Sequence, residues 1–252
     1  MVTLFISDLH LSAERPAIID LFRRFLRERA SRSDALYILG DLFEYWIGDD
    51  DALQSGYLPV INELRTLTAA GTPVYLMHGN RDFLLGSGFE EATGTHLLPE
   101  PAVIDLYGER VMLMHGDTLC TDDVEYQKFR SMVRDPAWIA QFVAKDITQR
   151  QTIVRSLRET SKAATAEKKP EIMDVNQGAV EAAMRSRGVL RLIHGHTHRP
   201  ALHGFMLDGQ PAKRMVLGDW YGQGSVLACT PQGCTLESLA CTPQGRALES
   251  LG

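Results

Sequence analysis

The sequence predicts an α/β fold, in which short strands and amphipathic helices alternate along the chain. Apolar runs of strand length recur at residues 4–6, 36–39, 74–77, 111–114 and 190–193. These runs are almost continuously apolar, which is typical of strands that are buried on both faces. Because helical patterns separate them, we expect a layered core whose functional residues follow the carboxyl ends of the strands.

Three helices are predicted between these strands. Pro16 can open the first helix, whose apolar face comprises Ile18, Leu21, Phe22, Phe25 and Leu26. The second helix runs from about residue 51 to residue 70. The third is predicted to begin at Asp174, whose carboxylate can cap the helix with Gln177 in the capping-box position, and to end at Gly188.

Residues 121–170 interrupt this alternation with two or three helical patterns and no strand pattern. We therefore predict a helical lid at 121–170, inserted into a core formed by residues 1–120 and 171–239. The lid carries ten Lys and Arg residues against seven Asp and Glu, whereas the whole chain has a formal net charge of −6. A locally basic segment in an acidic protein suits a phosphorylated ligand, although the same pattern fits an amphipathic hairpin that buries its apolar face on itself.

The carboxyl terminus contains a repeat with a period of twelve residues. The sequence Leu-Ala-Cys-Thr-Pro-Gln-Gly occurs at 227–233 and again at 239–245. One copy predicts a β-hairpin with the Pro-Gln-Gly stretch as its turn, and two copies are too few for a solenoid. We expect residues 240–252 to be a dispensable duplicated tail.

The composition indicates a cytosolic protein, or one that lies on a membrane surface. Of the 252 residues, 44% are hydrophobic and 23% are charged, which is ordinary for a globular protein. The first residues enter a strand at once and leave no room for a signal peptide, and no apolar run approaches the roughly 20 residues of a spanning helix. The acidic charge argues against a nucleic-acid partner. The four cysteines form no Cys-x-x-Cys pair, so we expect free thiols rather than a zinc site.

Metal-ligating side chains follow the predicted strands. They comprise Asp8, His10, Asp41, Asn80, His115, His196 and His198. Together they can hold two divalent cations, with the two oxygens of Asp41 bridging the pair, and this arrangement supports hydrolysis of a phosphate ester or anhydride. Mixed imidazole and carboxylate ligands favour Mn, Fe or Zn over Mg or Ca. The alternative, capped strand ends with buried structural histidines, explains one such residue more easily than seven.

The motifs D-x-H, GD, GN-x-D, HGD and GHTH resemble those of the calcineurin-like metallophosphoesterases across most of the chain. The resemblance implies a four-layer αββα sandwich. It places one metal on Asp8, His10, Asp41 and His198, and the second on Asp41, Asn80, His115 and His196. It also implies that water activated between the metals is the nucleophile.

Arg81 stands where most members of that superfamily have a histidine that protonates the leaving group. A phosphate leaving group, unlike an alkoxide, needs no proton, because its second pKa is about 6. A guanidinium can instead stabilise charge on the phosphoryl oxygens, so Arg81 favours cleavage of a pyrophosphate. The alternative is a structural salt bridge from Arg81 to Asp82 or Asp41.

The run GDLFEYWIGDD at 40–50 most closely resembles the family of UDP-2,3-diacylglucosamine hydrolases. The resemblance implies manganese-dependent hydrolysis of UDP-2,3-diacylglucosamine to UMP and 2,3-diacylglucosamine 1-phosphate in lipid A biosynthesis, by attack of water on the α-phosphorus. It implies catalytic roles for Asp41, Asn80, Arg81 and His115. The substrate contacts that it implies are Asn80, Arg81, Asp123, Tyr126, Ser161, Thr165, Lys168 and His196.

A lipid substrate implies peripheral contact with the cytoplasmic face of the inner membrane, without an obligate protein partner. Two other functions remain open. One is a metal-dependent nucleotide pyrophosphatase or phosphodiesterase with a soluble substrate. The other is a non-catalytic binding scaffold, which the complete set of seven ligands disfavours.

Overall fold

The computed structural model describes residues 1–51, 56–167 and 172–240, with the backbone alone for 160–167. Two sheets pack face to face in this structure. The first has the strand order β11-β10-β1-β2-β3-β4 and the second β5-β6-β7-β9-β8. Strands β1 to β4 are parallel, as are β6, β7 and β9, while β10, β11, β5 and β8 pair antiparallel with their neighbours.

The strands of the first sheet are β1 (Thr3–Ile6), β2 (Ala35–Leu39), β3 (Val74–Met77), β4 (His96–Leu98), β10 (Gly224–Thr230) and β11 (Gly233–Leu239). Those of the second sheet are β5 (Ala102–Leu106), β6 (Glu109–Met114), β7 (Arg191–His194), β8 (Ala201–Leu207) and β9 (Gln210–Val216). All five predicted apolar runs lie in or overlap these strands, and the α/β prediction is confirmed.

The continuous apolar character of the strands follows from their position between two packed layers. In β1, Leu4 and Ile6 pack in the cluster with the outer helices, whereas Phe5 packs in the cluster between the sheets. A third cluster joins the second sheet to a helix at residues 177–187. The order of layers is therefore helices, sheet, sheet, helix, which confirms the four-layer αββα sandwich.

Among the core helices, α1 (Pro16–Glu28) buries the predicted apolar face. Helix α2 (Leu58–Ala69) begins later than predicted because Asp49–Asp51 form a separate 3₁₀ turn and a proline in the first turn marks the start of α2. A short helix that the sequence did not predict, α3 (Ser87–Thr93), ends at Gly94, whose φ is 70°.

The predicted start of the last core helix at Asp174 is wrong. Helix α7 (Gln177–Arg187) is capped by Asn176, whose side chain accepts a hydrogen bond from the Ala179 N–H at 3.1 Å. The Asp174 carboxylate instead contacts Arg199, with 2.6 Å between Oδ2 and Nη1. The predicted end at Gly188 is correct, since Gly188 has a φ of 60°.

Between the HGD motif and α7, the described residues form helices α4 (Val124–Val133), α5 (Pro136–Val143) and α6 (Ile147–Glu167), with no strand among them. Asp123 and Asp135 cap α4 and α5 with their side chains. No described helix is long and apolar enough to pass through a bilayer.

The predicted carboxyl-terminal hairpin is formed by β10 and β11. Cys229 and Cys234 face each other across it at a Cα separation of 4.0 Å and form a disulfide, so the expectation of free thiols is wrong for this pair. Cys120 is free and buried. The second copy of the repeat, from residue 241, lies outside the described residues.

Candidate dinuclear metal centre

The seven predicted ligands converge where the strands of both sheets end. Asp8 and His10 follow β1, Asp41 follows β2 and Asn80 follows β3. From the second sheet, His115 follows β6, and His196 and His198 follow β7. Because the sheets pack face to face, their carboxyl ends meet and bring residues that are nearly 190 positions apart into contact.

Most of these residues have a left-handed backbone. In the described residues, seven non-glycine positions have a positive φ, and five of them are candidate ligands: Asp8, His10, Asp41, His196 and His198. Such a conformation costs of order 1–2 kcal/mol for each non-glycine residue and concentrates at functional sites. This conformation turns the backbone sharply after the end of each strand. As a result Asp8 and His10, two residues apart, both face the site.

The first group consists of Asp8, His10 and His198, with Asp41 beside them. The Nε2 atoms of His10 and His198 are 3.4 Å apart, and Asp8 Oδ1 lies 3.3 Å from His198 Nε2. The Oδ2 atom of Asp41 is 3.8 Å from His10 Nε2. These separations suit donor atoms that surround one cation.

The second group consists of Asn80, His115 and His196, again with Asp41. Asn80 Oδ1 lies 3.0 Å from His115 Nε2 and 3.0 Å from His196 Nδ1. The same Asp41 Oδ2 lies 3.9 Å from His115 Nε2. A single oxygen of Asp41 therefore borders both groups.

Asp8 and Asp41 each direct one carboxylate oxygen towards the candidate metal site and use the other in hydrogen bonds. Asp8 Oδ2 accepts hydrogen bonds from the Ser7 hydroxyl and the His196 N–H, whereas the buried Oδ1 has no hydrogen-bond partner among the described residues. In Asp41, Oδ1 accepts the Arg81 N–H at 2.8 Å and Oδ2 faces both groups. Oδ2 is thus the Asp41 oxygen that lies nearest to both groups, and the bridging of two cations by both oxygens stays a prediction.

In three of the histidines the second ring nitrogen faces a protein oxygen. His115 Nδ1 donates to the Leu39 carbonyl at 2.9 Å, and a hydrogen bond of this kind fixes the ring and leaves Nε2 available to a metal. His10 Nδ1 lies 3.6 Å from a Glu44 oxygen without forming a hydrogen bond within the described residues, and His198 Nδ1 lies 3.5 Å from an Asp219 oxygen.

Two glycines allow the loops to approach each other. A Cβ atom on Gly79 would lie 2.1 Å from Asp41 Oδ1, and one on Gly195 would lie 2.4 Å from Asp8 Oδ2. Asp82, which is fully buried, accepts hydrogen bonds from the N–H groups of Leu42 at 2.7 Å and Gly79 at 2.9 Å. These contacts hold the loops after β2 and β3 together as one unit.

The electrostatics of the site favour a bound cation. Burial raises the pKa of Asp41 to about 7, and the carboxylates of Asp82 and Asp8 add to the rise. Although burial opposes it, Asp41 and Asp8 raise the pKa of His115 to about 9. The pKa of His10 falls to about 3, chiefly through burial. Buried carboxylates and a neutral imidazole with unpaired donor atoms fit divalent metals.

Arg81 lies beside these groups and lines a cavity that is open to solvent. Its Nε is buried and has no hydrogen-bond partner among the described residues. The predicted alternative of a side-chain ion pair from Arg81 to Asp82 or Asp41 is not formed within the described chain; only the Arg81 main chain bonds Asp41.

The cavity extends from Asn80 and Arg81 to the three helices after the HGD motif. Its lining is mainly apolar and includes Phe83, Leu84, Phe129, Val133, Trp138, Phe142, Val154 and Leu157. Ile153, a neighbour of Val154, does not line it. The cavity also contains polar and cationic side chains that the sequence did not single out, namely Trp46, Arg130, Arg134 and Arg158.

Three arginines tie the helices over the cavity to the loops of the metal centre. Arg134 donates to the Gly79 carbonyl at 2.7 Å, and Arg150 donates to the Ile47 carbonyl at 2.6 Å. Arg158 pairs with Glu44 at 2.6 Å. Two of these partners, Ile47 and Glu44, belong to the GDLFEYWIGDD run, which therefore contacts the helices over the cavity. No signal in the sequence pairs these arginines with their partners.

Of the predicted lid contacts, Tyr126 lies at the site, since its ring is 5.8 Å from that of His196. Its hydroxyl donates to Asp117 at 2.7 Å, and Arg130 donates to the same carboxylate at 2.7 Å. Asp123 caps α4. Ser161 and Thr165 lie on α6 where side chains are not described, and Lys168 lies outside the described residues. Asp117 was missed as an organising residue, although the HGD motif contains it.

Comparison with known proteins identifies similar sequences over most of the chain. Residues 1–200 match the model of the family described as calcineurin-like phosphoesterase. A UDP-2,3-diacylglucosamine hydrolase of Stenotrophomonas maltophilia is 50% identical over 246 residues, covering 95% of this chain and 99% of the relative. A protein of the same name from Nitrosococcus oceani is 51% identical over 233 residues, covering 92% and 93%.

Solved structures share the fold at low sequence identity. Vacuolar Protein Sorting 29 from Cryptosporidium parvum superposes with a TM-score of 0.51 at 15% identity and covers 99% of this chain and 95% of its own. An archaeal phosphodiesterase superposes with a TM-score of 0.50 at 14% identity and covers 95% and 100%.

Proposed function

This chain belongs to the calcineurin-like phosphoesterase family, and from that premise we propose that it hydrolyses the pyrophosphate bond of UDP-2,3-diacylglucosamine. The products are UMP and 2,3-diacylglucosamine 1-phosphate, a step of lipid A biosynthesis. The observation that carries the proposal is the apolar cavity that opens directly onto Asn80 and Arg81. A soluble nucleotide would have no use for such a lining, whereas two acyl chains require one.

We propose that Asp8, His10, Asp41 and His198 hold one metal, and Asp41, Asn80, His115 and His196 the other. Two metals bound there would supply an activated water and positive charge for the phosphoryl oxygens. Manganese is our preferred ion because six of the seven ligands are imidazoles or carboxylates, joined by one amide oxygen.

The protein's own residues then bind and orient the substrate. Arg81 presents a fixed guanidinium to the pyrophosphate and stabilises the charge that develops on the leaving phosphate, which needs no proton. Asn80 contributes an oxygen and no charge, so that an anion can approach. Tyr126, held by Asp117, borders the same space beside His196. These contacts place the α-phosphorus at the metal centre.

The acyl chains occupy the cavity between the core and helices α4, α5 and α6. Phe142 is 2% exposed and stacks on Trp138 with ring centroids 5.0 Å apart, which gives the cavity a rigid apolar floor. Ser161, Thr165 and Lys168 remain proposed contacts for the glucosamine phosphate on the strength of the family resemblance.

We further propose that the enzyme works at the cytoplasmic face of the inner membrane. Several large apolar side chains on α4 and α5 are exposed near the cavity, namely Val124, Phe129, Met132 and Val143. Such residues can contact a lipid surface while the substrate enters the cavity.

A parallel assay tests the function. UDP-2,3-diacylglucosamine, UDP-glucosamine and bis(p-nitrophenyl) phosphate are supplied to the purified protein with Mn²⁺, and each reaction is repeated after chelation with EDTA. We expect rapid release of UMP from the acylated substrate alone, and its loss on chelation. If the acylated substrate shows no advantage over UDP-glucosamine, the lipid function is wrong and a soluble nucleotide pyrophosphatase is the better description.

A further inference from the structure

Tyr221 covers the metal centre but does not line the cavity between the core and helices α4, α5 and α6, which we call the lid cavity. Its ring stacks on His10 with centroids 5.3 Å apart and an interplanar angle of 6°, and it lies 5.5 Å from the ring of His198. Both histidines belong to the first ligand group. Neither Tyr221 nor Arg15 lines the cavity, which reaches the metal centre at Asn80 and at Glu44, the neighbour of His10. Tyr221 is nevertheless 52% exposed, which is unusual for a large side chain so close to a buried site.

Arg15 is fixed beside this tyrosine. Its guanidinium carbon lies 4.8 Å from the centroid of the Tyr221 ring. The guanidinium donates to the main-chain carbonyls of His10 at 3.2 Å and Trp220 at 2.6 Å, and to that of Tyr221 at 3.0 Å. Carbonyls orient the cation without neutralising it, and within the described chain Arg15 forms no ion pair with a carboxylate. A positive charge is therefore held at the edge of the first ligand group.

A second pair of the same kind borders the lid cavity. There Arg158 lies 5.6 Å from the centroid of the Tyr45 ring, and both residues line the cavity. In contrast to Arg15, Arg158 is paired with a carboxylate, that of Glu44. Two arginine–tyrosine pairs therefore border the metal centre. The charge of Arg158, in the cavity, is neutralised by Glu44, whereas that of Arg15, outside the cavity, is available.

We propose that Arg15 and Tyr221 form the subsite for the uridine monophosphate half of the substrate. This inference rests on the proposed function, in which the acyl chains and glucosamine occupy the lid cavity. Because the scissile bond must lie at the metals, the nucleotide needs a place at the metal centre outside that cavity, and Arg15 and Tyr221 offer one beside His10 and His198. Arg15 provides a cation for the α-phosphate, and the exposed part of the Tyr221 ring provides an aromatic surface for the base.

The test compares the binding of the two products to matched variants. Dissociation constants for UMP and for 2,3-diacylglucosamine 1-phosphate are measured by calorimetry on the manganese-loaded protein. We expect Tyr221→Ala to weaken UMP binding roughly ten-fold, within the range reported for base–aromatic contacts, and to leave the lipid product within about two-fold. Tyr221→Phe retains the ring and should bind UMP like the wild type.

Tyr45→Ala, in the lid cavity, is the matched control. It should weaken the binding of the lipid product and leave the binding of UMP unchanged. Arg15→Gln removes the cation without the ring and should weaken UMP alone, which keeps the proposal testable if Tyr221→Ala does not fold. The manganese content and melting temperature of every variant are measured in parallel.

Equal weakening of both products, with lost manganese, would mean that Tyr221 only supports His10, and would overturn the subsite. Unchanged UMP binding in both Tyr221→Ala and Arg15→Gln would overturn it as well. Failure of the proposed function is seen separately, because in that case the wild type itself does not hydrolyse UDP-2,3-diacylglucosamine.

Discussion

At the scale of single residues, we expect the chemistry of the Arg81 side chain to determine which bond is cleaved. It lines the cavity next to Asn80, and its Nε is buried without a described partner. Leaving a buried guanidinium nitrogen unpaired is costly in a protein of ordinary stability, so its partner is expected to be the substrate.

Replacing Arg81 by alanine should lower kcat for UDP-2,3-diacylglucosamine by about 10²–10³, the loss typical of one donor that stabilises transition-state charge. Arg81→Lys should recover only part of this rate, since a point charge cannot reproduce the planar fork of donors. Steady-state kinetics with the melting temperature as a control measures this. A fall in melting temperature without a fall in kcat would instead identify Arg81 as structural.

Gly79 should be as indispensable as any ligand, although it offers no side chain. A Cβ atom there would lie 2.1 Å from Asp41 Oδ1, so Gly79→Ala must displace the carboxylate that borders both ligand groups. We expect bound manganese, measured by plasma emission spectroscopy, to fall below the wild-type stoichiometry, and activity to fall with it. Gly204→Ala is the matched control, because nothing lies within 4 Å of its added carbon.

The convergence of the seven candidate ligands could be predicted from the sequence because each follows an apolar run, and parallel strands bring such positions to one edge. The sequence could not show which partners from other loops these and neighbouring polar side chains meet. One Asp41 oxygen accepts the Arg81 N–H, and Asp174 pairs with Arg199 while Asn176 caps α7. Both are contacts between loops, which no local pattern records.

At the scale of secondary-structure elements, helices α4, α5 and α6 form the apolar side of the cavity, and three arginines connect them to the core. The sequence predicted helices in this segment from their apolar spacing. It could not assign which apolar residues face the cavity, because the three helices bury apolar surface both on one another and on the core. Phe142 and Ile153 both belong to the apolar patterns of this segment, but of the two only Phe142 lines the cavity.

This difference yields a matched pair of variants. Phe142→Asp should raise KM for UDP-2,3-diacylglucosamine at least ten-fold, because a charge is placed among acyl chains, and should affect a soluble pyrophosphate substrate much less. Ile153→Asp places the same charge on α6 outside the cavity and should leave both KM values near those of the wild type. An equal rise for both substrates in Phe142→Asp would indicate misfolding.

At the scale of the whole molecule, the C-terminal β10–β11 hairpin completes the first sheet by pairing with β1. The sandwich is complete at Leu239, the last residue of β11. A chain that ends at Leu239 should therefore retain the wild-type kcat/KM and melt within a few degrees of the full chain. Thermal denaturation and the lipid assay measure this, and a substantial loss of activity would show that the duplicated tail has a role.

The exposed apolar residues of α4 and α5 predict how the molecule approaches its substrate. In sedimentation with vesicles of phosphatidylethanolamine and phosphatidylglycerol, we expect the wild type to be found partly with the lipid. Met132→Asp, which changes a side chain that is 49% exposed, should shift it to the supernatant. Leu202→Asp, on β8 and 54% exposed, is the control and should sediment like the wild type.

The five left-handed residues at the metal centre have a consequence for how the ion is chosen. Because these residues follow strands of two packed sheets, we expect the binding of a cation to order them very little. The metal should then be removable and replaceable without unfolding of the protein, and the protein should set the distances between the donor atoms. An ion whose radius does not match these distances would form distorted metal–ligand bonds. We therefore expect the loops after the strands to select the metal ion by its size.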